Sequence, residues 1–120
     1  MARTFFSMAL ASILALAAGS AAMADTVGGP KGADDTIAAR ATITYNAWFY
    51  GGELARVGVI GDGDTDLDLY VYDEYGNLVA SDTDYSDRCL ASWVPRCTAR
   101  YTIKVVNRGS VYNEFRLRTN

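Results

Sequence analysis

The sequence predicts an all-β domain, an antiparallel sandwich of about seven to eight strands. Three observations carry this expectation. Apolar and polar residues alternate over short segments, turn-forming clusters separate those segments at roughly 8–12-residue spacing, and no long stretch shows a helical period.

The strands follow in chain order. Ile43, Tyr45, Ala47 and Phe49 alternate with Thr42, Thr44 and Asn46, and Gly51-Gly52 closes this first strand. Val57 and Val59 mark a second, ended by Gly61-Asp62-Gly63-Asp64. Leu67, Leu69 and Val71 alternate with Asp66, Asp68, Tyr70 and Tyr72, the clearest half-buried strand in the chain. Glu74-Tyr75-Gly76-Asn77 supplies turn residues, and Leu78 to Ser81 returns as a hairpin partner. After the polar stretch Asp82–Asp87, a short strand around Leu90–Val94 stops at Pro95. Tyr101, Ile103 and Val105 form a longer one, turned by Asn107-Arg108-Gly109-Ser110, and Phe115 and Leu117 anchor the last.

The N-terminus carries an address. Arg3 gives a short positive region, Phe5 to Ala18 is an almost unbroken apolar run, and Ala22-Met23-Ala24 places small residues where signal peptidase reads them. Residues 1–24 are expected to be a cleaved export signal, leaving Asp25 first. The apolar run falls short of the roughly 20 residues of a spanning helix, and no basic cluster follows it. No stable membrane anchor is therefore expected after cleavage, and the protein should be periplasmic or extracellular. Residues 25–40, with Gly28-Gly29-Pro30, Gly32 and Asp34-Asp35, have the composition of a flexible leader. Residues 41–120 are left as the folded domain.

Three motifs together resemble the bacterial pre-peptidase C-terminal domain: Asp66-Leu67-Asp68-Leu69-Tyr70-Val71-Tyr72-Asp73, Gly76-Asn77-Leu78-Val79-Ala80, and Tyr101-Thr102-Ile103-Lys104-Val105. The resemblance spans about Thr42 to Thr119 and implies a jelly-roll-like sandwich. Members of that family are usually appended to secreted peptidases, and some bind calcium or collagen. No attached peptidase is expected here, and the residues depart from the pattern in Ala99-Arg100, where the family favours Gly-Thr, and in the cysteines.

The two cysteines, Cys89 and Cys97, are expected to pair in an oxidising compartment. Closing so short a loop would contribute roughly 2–3 kcal/mol.

Charge is distributed unevenly. Nine acids fall between Asp62 and Asp87 with no Lys or Arg among them, whereas Arg88 onward is mostly basic. Asp62, Asp64 and Asp66, with Asp82 and Asp84, are candidate calcium ligands, because hard cations take clustered carboxylate oxygens. The spacing does not match an EF-hand loop, since Leu67 stands where that loop has glycine. Calcium-binding relatives also use acids in the leader, which would be Asp34 and Asp35. The competing reading is a solvated face with turn-forming aspartates. Arg100, Lys104, Arg108, Arg116 and Arg118 should point outward from the last two strands. They either pair with the acids of the Asp66–Asp68 strand or form an open stripe for an anionic polymer.

Tyr70 and Tyr72 share the outward face with Asp68, a combination suited to binding protein or sugar, although Tyr is also common in strands. Trp93 is expected to pack as an anchor. The chain has no histidine, which removes the commonest general base, and no enzyme activity is expected. The net charge of −3 and the exported location argue against nucleic acid. What remains is an exported, non-catalytic binding or accessory module acting on an extracytoplasmic protein or polysaccharide. The alternative is a structural envelope or matrix protein, stabilised by calcium or by the sandwich itself, without a discrete ligand site.

Overall fold

A computed structural model describes residues 19–120, which form nine strands in two packed sheets. In chain order these are β1 (Gly19–Val27), β2 (Lys31–Ile37), β3 (Thr42–Phe49), β4 (Ala55–Ile60) and β5 (Leu67–Tyr72), followed by β6 (Leu78–Asp82), β7 (Arg88–Trp93), β8 (Ala99–Asn107) and β9 (Asn113–Thr119). One sheet has the order β1-β3-β8-β5-β6, the other β2-β9-β4-β7. Every neighbouring pair is antiparallel except β1 with β3.

The alternation in the sequence becomes the two faces of each sheet. Leu67, Leu69 and Val71 of β5 and Ile103 and Val105 of β8 are fully buried, and they meet Val57, Val59 and Leu117 from the opposite sheet. Phe49, Trp93 and Tyr101 pack ring to ring at one end, with Phe49 edge-on to both partners at 5.0 and 5.9 Å. Trp93 is thus the packing anchor expected. The β5–β6 hairpin turns where the sequence places it. Asp73 accepts the Tyr75 and Asn77 amides at 2.9 and 2.8 Å, and Gly76 takes φ 84° in the left-handed region that glycine favours.

Two strands arise where none was expected. Part of the supposed leader is β2, paired along its whole length with β9. Its glycine and paired aspartates mask the period-two pattern, yet Ile37 is fully buried and Lys31 is 8% exposed. The Lys31 ammonium donates to the Gly28 and Trp48 carbonyls, and burial lowers its pKa. Most of the expected export signal lies outside the described residues; its last six, Gly19–Ala24, belong to β1.

The expected disulfide is absent. Cys89 is buried and Cys97 exposed, and both are free thiols. Cys89 stands opposite Val59, Trp93 opposite Ala55, and four extended steps between them span about 13 Å at ~3.3 Å per residue. Cys97 lies beyond Trp93, packed so closely on Gly51 that a Cβ there would come within 2.5 Å of its Cα. Disulfides need Cα atoms within about 7 Å, so an extended strand holds the two cysteines apart.

The basic stripe also divides. β8 lies in the five-stranded sheet and β9 in the four-stranded one, so Arg100, Lys104 and Arg108 face away from Arg116 and Arg118. The 107–113 connection crosses the sandwich instead of forming a hairpin. Asn107, fully buried, secures it by donating to the carbonyls of Ile37 and Val111 at 3.2 and 2.9 Å and accepting the Gly109 amide at 2.9 Å.

Candidate functional site

The outward side of the five-stranded sheet gathers the residues of the expected binding surface. Alternation on β5 turns Asp68, Tyr70 and Tyr72 outward while Leu67, Leu69 and Val71 face the core. Register then places Lys104 of β8 opposite Tyr70, Thr102 opposite Tyr72, and Val106 opposite Asp68. The rings of Tyr70 and Tyr72 stack at 6.5 Å and 23°, and the Lys104 ammonium sits 5.4 Å from the Tyr72 ring centre. A cation at that distance is attracted to the ring face. Trp48, 37% exposed, lies across from Arg100 toward one end of the sheet.

Asp68 is an anchor rather than an open ligand. Its side chain is 7% exposed, and one oxygen accepts Arg108 Nε at 2.8 Å and Tyr70 Oη at 3.3 Å. Arg108 also donates to Tyr70 Oη at 3.0 Å, and these contacts hold the guanidinium pKa above its usual value. For Arg108 the pair realises the expected pairing with the Asp66–Asp68 strand; Arg118 instead pairs with Asp34 of β2 at 2.6 Å on the other sheet. There Arg118 holds the Asp34 carboxyl below the ordinary range.

The acids expected for calcium do occupy neighbouring turns. Gly61 N donates to Asp87 O at 2.8 Å and Leu67 N to Ser86 O at 3.1 Å, bringing the 61–66 and 82–87 segments side by side. Their side chains are turned to backbone work. Asp62 accepts the Asp64 and Glu114 amides, Asp82 the Leu90 amide, and Asp84 the Ser86 amide and hydroxyl. Asp87, which the sequence did not single out, accepts from Gly63 N and from Nδ2 of the buried Asn113, whose Oδ1 in turn holds Asp62 N. Asp64 is exposed. Among the described residues no three His, Cys, Asp or Glu gather into a metal-holding group. Asp66 and Asp68 each keep one buried oxygen without a partner, and Asp66 is pushed above the usual carboxylate range by desolvation, then by Asp68 and Asp84.

Of the leader acids, Asp34 is the Arg118 partner, and Asp35 faces inward to accept the hydroxyl of the buried Tyr45. Desolvation raises Asp35, and Tyr45 is raised as well by its burial. Cys89 is pushed up to about 12 by burial and by the acids near it, so its thiol is inert at neutral pH.

No family model and no curated protein matches the chain. Among solved structures, the pre-peptidase C-terminal domain of a collagenase from Bacillus anthracis superposes with a TM-score of 0.65 at 11% identity, covering 86% of this chain and 94% of that one. A periplasmic inhibitor of g-type lysozyme from Aeromonas hydrophila superposes at 0.58 and 12% identity, over 87% of this chain and 98% of its own. The fold is therefore an all-β sandwich of the kind these two proteins share. The relation in fold implied by the Asp66–Asp73 strand is supported, and at these identities the likeness speaks to fold alone.

Proposed function

We propose that the protein is an exported, non-catalytic binding module that engages an extracytoplasmic partner through the outer side of its five-stranded sheet. The observation that carries this reading is the Tyr70–Tyr72 stack with Lys104 beside it, on the side of the five-stranded sheet turned away from the core. Tyr rings present broad apolar area at low entropic cost, and the Asp68–Arg108 pair pre-orders Tyr70. A protein is the favoured partner over a polysaccharide. A lysozyme inhibitor has a fold of this kind, and mixed Tyr, Lys and Arg on one sheet face suits a protein surface.

Trp48 gives this surface an intrinsic fluorescent reporter. Processed protein would be titrated with g-type lysozyme and with soluble neutral and acidic polysaccharides, the Tyr70→Ala/Tyr72→Ala variant in parallel. A partner acting through this face should lose roughly tenfold or more in affinity for the variant. Undiminished binding by the variant would place the interaction elsewhere.

A structural role draws on a different observation, the unpartnered oxygens of Asp66 and Asp68. On that reading calcium recruits them to stabilise the sandwich within an envelope or matrix assembly.

A further inference from the structure

The β1 strand covers an edge that export would open. Gly19, Ser20, Ala21 and Ala22 pair with Ile43, Thr44, Tyr45 and Asn46 of β3. The ladder then slips, and pairing resumes only at Val27 with Trp48. This irregularity spans the bond after Ala24 at which the signal is expected to be cut. Cleavage there would remove all four regular pairs and keep only the Trp48 end, where Gly28 N and Lys31 Nζ hold the Trp48 carbonyl. The mature chain would then have β3 as an edge strand from Ile43 to Asn46.

That edge lacks the devices by which edge strands avoid pairing. β3 reads Thr-Ile-Thr-Tyr-Asn-Ala-Trp-Phe, with no charge, no proline and no glycine. The other sheet edges are each defended. β6 is five residues long, carries Asp82 and meets β5 through a register shift. β7 carries Arg88 and runs into Pro95, and its Leu90 amide is taken by Asp82. β2 carries Lys31, Asp34 and Asp35. A central strand needs no such protection, so β3 is built as a strand that is covered on both sides.

We propose that in the processed protein this cover is a second copy of the chain, with β3 paired antiparallel to β3 across a two-fold axis at Thr44. The inference rests on the export reading above. A two-fold axis perpendicular to the sheet keeps each side chain on its own face, so Thr44 meets Thr44, Ile43 meets Tyr45, and Thr42 meets Asn46. No like charges oppose each other in that register, and the inner pairs extend the apolar layer from one copy to the next. The two five-stranded sheets, each without β1, become one continuous eight-stranded sheet.

The full chain, expressed so that it is exported, tests this in three measurements: intact mass, sedimentation across a dilution series, and hydrogen exchange at low and high concentration. Expected are a mass beginning at Asp25, a monomer–dimer equilibrium within about 1–500 µM, and protection of the Ile43–Asn46 amides that grows with concentration. Thr44→Lys, which sets like charges opposite each other, should weaken the dimer at least tenfold. Should that variant not fold, the concentration dependence of exchange in the unaltered protein decides alone. A processed chain that stays monomeric at the highest concentration overturns the proposal. So does a dimer whose protected amides lie elsewhere, or protection of Ile43–Asn46 already complete in the dilute monomer. A mass that retains Gly19–Ala24 overturns it through its premise, and the mass measurement tells that failure from the others.

Discussion

Asn107 is the residue whose loss should be felt most per atom removed. Its side chain holds three backbone groups of the β8–β9 crossover: the Ile37 carbonyl in the buried interior, and the Val111 carbonyl and Gly109 amide nearer the rim. In Asn107→Ala the buried carbonyl is left without a donor, at about 1–3 kcal/mol, while the two rim groups regain water and lose about 0.5–1.5 kcal/mol each. The sum is about 2–6 kcal/mol, a large part of the ~5–15 kcal/mol that stabilises a domain of this size. In melting temperature that is a fall of roughly 8 °C or more. Urea unfolding of the variant and the parent, followed by tryptophan fluorescence, measures the difference, with an unchanged slope showing that the unfolded state is the same. Asn107→Asp sharpens the test. It keeps the acceptor for Gly109 but turns a carboxylate toward two carbonyls, so its loss should exceed that of alanine at pH 7 and shrink as the carboxyl protonates in acid. A loss below about 1 kcal/mol for the alanine variant would refute the account of the crossover, because it would mean these groups reach water without the asparagine.

Other expectations follow from the acids and the thiols. Asp66 has a raised folded-state pKa, so its contribution to stability is full below the unfolded value near 3.8 and is lost as pH rises through the folded value. Asp66→Asn should therefore add about 0.5 kcal/mol at pH 7, some 2–4 °C, and nothing at pH 3; a variant less stable than the parent at pH 7 would contradict this. Native alkylation should label the exposed Cys97 readily and Cys89 only after unfolding, and recovery of a Cys89–Cys97 disulfide from the purified protein would show that the β7 end rearranges. Millimolar calcium should move the melting temperature by less than about 2 °C relative to chelator, since Asp62, Asp82 and Asp84 already serve backbone amides. A rise near 10 °C would instead favour the structural reading, with Asp66 and Asp68 as ligands.

What the sequence determined by itself is the local half of the fold. Alternation identified β3, β5, β8 and β9 with their inward residues, because a strand's side chains change face at every step and one face must leave water. Turn chemistry located the Asp73–Asn77 hairpin, because Asp and Gly there satisfy the backbone with neighbouring residues alone. The pairing of Tyr70 and Tyr72 on one face with Asp68 was legible for the same reason.

Tertiary structure decided everything that depends on which strand lies beside which. Alternation shows that Arg108 and Arg118 point outward, and says nothing of the crossover that sends β8 and β9 to opposite sheets. Asn107 and Asn113 look like turn residues and are fully buried, because the groups that satisfy them come from segments as far away as Ile37 and Asp62. β2 was hidden for a related reason: its glycine and aspartates form a strand only because β9 supplies a full ladder, Arg118 a partner for Asp34, and Tyr45 one for Asp35. The cysteines carry the same lesson. Eight positions apart along the chain, they suggest a closed loop, but the pairing of β7 with β4 keeps Cys89–Trp93 extended, and Cys97 lies beyond the far end of that strand. Sequence spacing becomes distance only after the long-range pairing of backbones has chosen the path between two residues.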